Sequence, residues 1–208
     1  MVSKAKSDGK GSEAKAASAA DSQTIDLTAL LSVIWRRRWL IAAITAIGVE
    51  VMIPHAGAIV LRYVATGDIG LLRLPPPAAP TRTDELWKTT CFEAFVKPGE
   101  GAGYYEVNVA PSTQWAAYSF TAYREGMAPA EIATPYTNVQ VHGDRFEMLV
   151  SLDLSTLPMK QAWRLGLSAV IEETSGNKSY WALAHPPGKP DFHHADCFAL
   201  ELPAAERA

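Results

Sequence analysis

The side chains best equipped for chemistry in this chain are aromatic. Trp87, Trp115, Tyr118, Tyr123, Trp163, Trp181 and Phe192 recur from residue 87 onward. Flat rings are the surfaces on which the apolar C–H face of a sugar stacks, and Asp, Glu, Asn, Arg or His complete such a site by pairing with hydroxyls. The same rings also fill hydrophobic cores. Trp163 shares the apolar face of an alternating segment, which assigns it to the core. Trp87 stands at the end of a loop, with Asp84 and Glu85 before it and Lys88 after it, where partial exposure is expected.

A second cluster is His193-His194 with Asp191 and Asp196, and His185 lies across the same loop. Adjacent residues of a strand point to opposite faces, so joint ligation of a metal would need an irregular loop. Ordinary loop hydrogen bonding is the expectation, with no metal site. Met127, Met148 and His142 are of the types that serve as haem axial ligands, but no spacing singles out a pair. The expectation is therefore no cofactor, with a haem-binding electron-transfer domain as an alternative. The chain contains no P-loop, no nucleophile elbow and no His-Glu-x-x-His, so none of these catalytic templates applies. Gly99-Glu100-Gly101-Ala102-Gly103 leads into a strand and reads as a turn. Cys91 and Cys197 are expected as free buried thiols, because no secretory signal places them in an oxidising compartment. The same absence predicts a cytoplasmic protein.

The elements that must position these residues follow period two. Ile59 to Val64, Cys91 to Val96, Tyr105 to Val109, Trp115 to Tyr123, Phe146 to Asp153 and Trp163 to Glu172 read as strands, as do Trp181 to Ala184 and Phe198 to Leu202. Pro75-Pro76-Pro77 and Pro186-Pro187-Gly188 punctuate the series. Strands at this spacing with no sustained amphipathic helix after residue 53 predict an all-β protein, an antiparallel β-sandwich of jelly-roll type, over residues 53–203. A C-terminal tail of 204–208 follows.

Ahead of it the composition differs. Residues 1–23 are Ser, Ala, Lys and Gly with almost no large apolar side chain, the signature of a disordered tail. Residues 24–52 read as a helical and apolar leader. Asp26 N-caps a short amphipathic helix through Leu27, Leu30, Leu31, Ile34 and Trp35, and Arg36-Arg37-Arg38 precedes an apolar run from Trp39. That run holds 11 residues before Glu50, short of the ~20 that a spanning helix requires. The net charge of −3 divides into +3 up to Arg38 and −6 beyond it. That balance removes the electrostatic case for nucleic-acid binding.

Two resemblances carry further expectations. Ile25-Asp26-Leu27 and Trp35-Arg36-Arg37-Arg38-Trp39 resemble the start of the polysaccharide chain-length determinant family. That likeness implies, as an alternative, a membrane-proximal accessory protein of polysaccharide biosynthesis or export, associated with the inner membrane through residues 24–53. The longer match runs through Asp84 to Val96, Tyr104 to Ser112, Tyr123 to Met127 and Trp181 to His194. These blocks resemble the bacterial DOMON-like domains, grouped with the family 9 carbohydrate-binding modules.

This second resemblance implies a non-catalytic sandwich that binds carbohydrate or cell-envelope glycan. Trp87 and Glu93 match the family's ring-stacking Trp and its hydroxyl-binding Glu, and Phe192 falls where a second clamping aromatic is expected. His193 and Trp181, from the C-terminal block, complete the candidate ligand-binding set. The family's extra N-terminal strand looks missing here, or replaced by Trp39 to Met52, and its loss would expose a sheet edge.

Overall fold

The computed structural model describes residues 44–158 and 161–203. The expected tail, the short helix behind Asp26, the arginine cluster and the last five residues lie outside the described residues.

Among the described residues, eleven strands form two antiparallel sheets. The smaller sheet contains β1 (Ile44–Met52), β2 (Ala58–Gly67), β7 (Tyr136–His142) and β8 (Arg145–Asp153), ordered β1-β2-β8-β7. The larger sheet is ordered β10-β9-β3-β4-β5-β6. Its strands are β3 (Cys91–Pro98), β4 (Tyr104–Val109), β5 (Trp115–Phe120), β6 (Ala128–Pro129), β9 (Trp163–Glu172) and β10 (Lys178–Ala182). β11 (Leu200–Leu202) pairs with the start of β9, at Leu165 to Trp163, continuing the edge that β10 occupies further along.

Period-two alternation explains the layering. On β2, Ile59, Leu61, Tyr63 and Ala65 point inward, and on β8 Phe146, Met148, Val150 and Leu152 answer them. Phe92, Ala94 and Val96 of β3, with Val107 and Val109 of β4, close the core from the larger sheet. Phe92 and Phe146 stack across it at 5.5 Å, and the Tyr63 hydroxyl donates to the Glu93 carbonyl at 3.2 Å, tying one sheet to the other. Trp163 is buried there, its Nε1 donating to the Pro158 carbonyl at 2.8 Å.

The leader expectation fails over residues 44–52. This stretch is strand β1, paired with β2 from Ile44↔Gly67 to Met52↔Val60. Its alternate residues Ile47, Val49 and Val51 pack on the core. Glu50, which breaks the apolar run in sequence, lies on the outer face and bonds Arg62 of β2 at 3.0 Å. The β-branched residues and the cross-strand partner decide for a strand. This segment is therefore a strand of the sandwich, which includes it from Ile44 rather than starting at residue 53. Among the described residues, no helix is long and apolar enough to cross a membrane.

Candidate functional site

The larger sheet has a second face, turned away from the core, and its residues are mostly buried too. Cross-strand register puts Glu93 and Phe95 of β3, Tyr104, Glu106 and Asn108 of β4, Tyr118 and Phe120 of β5, and Ser168 and Val170 of β9 on that face. Loops cover it. Gly166 of β9 lets the C-terminal loop approach, since a Cβ there would sit 2.9 Å from the Cys197 carbonyl oxygen. The Cys197 thiol in turn donates to the Asp191 carbonyl at 3.2 Å. Phe95, Tyr104 and Phe120 surround the His193 ring with edge contacts at 5.1, 5.8 and 5.2 Å, pinning the loop to the sheet.

From the other side, Tyr118 donates to Asp84 at 2.6 Å, fixing the 83–89 loop. Glu85 turns that loop with a left-handed φ of 63°. The single 3₁₀ turn Leu86–Lys88 then sets Trp87 edge-on to Tyr118 at 6.0 Å.

Between these loops lies a cleft of about 380 Å³, within the about 300–1,000 Å³ typical of small-molecule sites. Its aromatic walls are Trp87, Tyr180 and Phe192, and its polar groups are Glu106, Arg124 and Asp191. Phe192 is 8% exposed, whereas Tyr180 is 47% exposed, so the open aromatic surface comes from Trp87 and Tyr180.

Arg124 and Asp191 are bound to each other. Arg124 Nη2 donates to Asp191 Oδ1 at 2.7 Å, and the Tyr123 hydroxyl donates to Oδ2. Burial would raise the Asp191 pKa, but the Tyr123 and Arg124 bonds hold it below the usual carboxylate value. The backbone N–H of Arg124 donates to the Tyr104 hydroxyl at 3.1 Å, and that hydroxyl lies 2.8 Å from His193 Nδ1. The arrangement that uses each donor has Tyr104 donating to Nδ1, leaving the ring proton on Nε2. Burial, reinforced by the Arg124 charge, lowers the His193 pKa to about 4, so the imidazole is neutral at pH 7.

Glu106 is 5% exposed and forms part of the cleft floor. Its Oε1 accepts from the Asn108 amide at 2.7 Å, while its Oε2 stands 3.8 Å from His193 Nε2. Burial raises its pKa against the opposing pull of Asn108 and Arg124. Glu93, 3% exposed, is its diagonal neighbour on the sheet and accepts from Ser168 Oγ at 3.3 Å. Burial first, and the Glu106 charge second, push the Glu93 carboxyl up to about 8.

The structure thus brings Trp87, Phe192 and His193 to one cleft, and sets Glu93 on the same sheet face outside the lining. Trp181 is elsewhere. It pairs in register with Ala169, on the core side of the sheet, where it borders a separate cleft of about 170 Å³ beside Ile47, Val49 and Tyr63. Its Nε1 donates to Ser179 Oγ at 2.9 Å. Glu106, Arg124 and Tyr180 are absent from the sequence candidates, and Asp191 enters there only with the metal-ligand types of the His193-His194 cluster. Alternation puts Glu106 and Asn108 on one face of β4, and that polar pair carries no local sign of burial.

Among the described residues, no group of three or more His, Cys, Asp and Glu is placed to hold a metal ion. The haem ligand types do not converge either. Met148 is fully buried in the inter-sheet core and His142 is exposed on β7, while Met127 borders the cleft. Cys91 and Cys197 are buried free thiols.

Comparison with solved structures finds a similar architecture in a Bacteroides uniformis protein provisionally described as carbohydrate-binding. Sequence identity is 12% and the TM-score 0.51, over 82% of this chain and 88% of that one. The two chains share a fold. A family 9 carbohydrate-binding module from Caldicellulosiruptor kristjanssonii, solved in complex with glucose, superposes with 10% identity and a TM-score of 0.45 over 80% of this chain and 82% of that one. No protein-family model and no curated protein matches the sequence.

Proposed function

We propose that this chain is a non-catalytic module that binds carbohydrate in the cleft beside Trp87. The observation that carries the reading is the joint lining of one cleft by flat rings (Trp87, Tyr180) and by charged hydrogen-bonding groups (Glu106, Arg124, Asp191). A sugar ring stacks its C–H face on the exposed aromatic surface, and its equatorial hydroxyls meet the carboxylates and the guanidinium. Phe192 and His193 act from the wall and floor. Glu93 supports the floor from beneath, where Ser168 satisfies it. The fold shared with the Bacteroides uniformis protein supports the same reading.

Binding without turnover fits the carboxylates. Glycoside hydrolysis uses two carboxyls that flank the scissile bond and both reach the substrate. Here Glu93 is sealed at 3% exposure, and of the two carboxyls that line the cleft Asp191 is tied up by Arg124 and the Tyr123 hydroxyl, which leaves Glu106 without a second free carboxyl across the cleft. A glycan of the cell envelope is the proposed source of the sugar. A cytoplasmic location, or an inner-membrane association through residues ahead of β1, is proposed on the sequence reading and is tested by fractionation of the full chain.

Isothermal titration with a panel of mono- and oligosaccharides tests the site. Binding by the wild type that falls at least about tenfold in Trp87→Ala is the expected result, as for an anchoring aromatic at the centre of a contact. Unchanged affinity in that variant would overturn the assignment.

A further inference from the structure

The charge at the cleft floor has no counter-charge to spare. Arg124 is the cation that lines the cleft, and it is committed to Asp191 at 2.7 Å, which also binds the Tyr123 hydroxyl and the His193 N–H. The neighbouring imidazole of His193 spends Nδ1 on Tyr104, and its Nε2 stands 3.8 Å from Glu106 Oε2, beyond hydrogen-bonding distance. Glu106 has only a neutral amide, Asn108, as its hydrogen-bond partner, on Oε1. Its Oε2 accepts no hydrogen bond among the described residues, although the side chain is just 7% exposed. A second carboxyl, Glu93, lies diagonally beneath it.

A carboxylate oxygen with an open lone pair at the wall of a cleft, on a side chain only 7% exposed, is sparsely hydrated and gains from a donor that fills it. A cationic donor fills it best, because a charge-assisted hydrogen bond in a desolvated site is about twice as strong as a neutral one. The aromatic walls add a second preference for positive charge, since Trp and Tyr faces attract ammonium groups. Burial of Glu106 raises its pKa against the opposing pull of Asn108 and Arg124, and an ammonium group bound at Oε2 would pull it back down.

We infer that the glycan bound in this cleft carries a protonated amine, which sits over Glu106 and donates to its free Oε2 while the sugar ring stacks on Trp87 and Tyr180. This deepens the carbohydrate reading and rests on it. An amino sugar satisfies both halves of the cleft, the flat apolar walls and the anionic floor. Acetylation of the amine removes the charge and adds bulk at the floor, so it should weaken binding.

The test is titration of the full chain at neutral pH with glucosamine, N-acetylglucosamine, glucose and cyclohexylamine. Glucosamine should bind at least about tenfold more tightly than either of the other sugars, which corresponds to one charge-assisted bond. In Glu106→Gln, which keeps the shape and the Asn108 contact, that preference for glucosamine over glucose should disappear. The comparison within the wild type needs no variant and therefore does not depend on how Glu106→Gln folds. Glucose and N-acetylglucosamine binding as tightly as glucosamine would overturn the inference and leave the carbohydrate reading standing. Cyclohexylamine binding as tightly as glucosamine would overturn it in favour of a site for amines without a sugar. Failure of every sugar to bind would overturn the underlying reading.

Discussion

Two tryptophans that the sequence offers as ligand-binding residues have different roles in this molecule. Trp87 projects from a loop into the cleft, whereas Trp181 points between the sheet edges and packs on the core. Trp87→Ala should remove stacking with little change in melting temperature. Trp181→Ala should leave sugar affinity unchanged and cost about 1–3 kcal/mol of stability, less than a fully buried aromatic because the ring is half-buried. Titration calorimetry paired with denaturant unfolding reads both. If Trp181→Ala lost affinity and Trp87→Ala did not, the binding face would have to be reassigned.

At the scale of elements, the cleft depends on how closely the C-terminal loop lies against β9. Gly166→Ala drives a Cβ to 2.9 Å from the Cys197 carbonyl, which is backbone and cannot simply swing aside. It should destabilise the protein by about 1–3 kcal/mol. Because Phe192 and His193 ride on that loop, it should also weaken ligand binding, whereas a mutation elsewhere of equal destabilising effect should not.

Strand β1 makes a different prediction. Gly48 pairs with Val64 and has nothing within 4 Å of where a Cβ would stand, so Gly48→Thr should be neutral or stabilising in thermal melts. Val49 faces inward opposite Tyr63, so Val49→Asp should cost about 1–3 kcal/mol for an unpaired buried polar group. A helical leader would show neither the tolerance nor the alternation. Strand β7 was not foreseen in sequence. Its residues Tyr136–His142 lie at a sheet edge and are mostly exposed, so they lack the apolar contrast on which period-two reading relies.

For the whole molecule, buried titratable groups set the pH range of stability. Glu93 moves from 4.5 unfolded to about 8 folded, so the native state holds a proton there that the unfolded chain releases. Its contribution is intact below about 4.5 and is lost as pH rises through about 8. His193 moves the other way, from 6.5 to about 4, so its contribution is intact above about 6.5 and is lost as pH falls through about 4. The two slopes oppose each other between about 4.5 and 6.5. Melting temperature should therefore be highest across that mildly acidic range and fall toward pH 8, with the raised Glu106 pKa adding to the fall. Glu93→Gln should flatten the alkaline side of the profile. A profile still rising from pH 6.5 to 8 in the wild type would contradict this placement of the two carboxyls.

Local pattern alone determined most of the strands and the sandwich class, because alternation of apolar and polar residues records which face of a strand meets a core. It also marked Trp87 as partly exposed and Trp163 as buried, from loop neighbours and from strand phase. It read residues 44–52 as leader because an apolar run with one Glu is ambiguous until a partner strand supplies Arg62. Nothing local to β4 announces that Glu106 will be covered by the 83–89 loop and by a second loop more than eighty residues further along the chain. Bringing Glu106, Arg124, Asp191 and Trp87 to one cleft required cross-strand register and loop packing. These are long-range contacts, whose cost in chain entropy is repaid only when the whole sandwich closes, and only the tertiary structure could decide them.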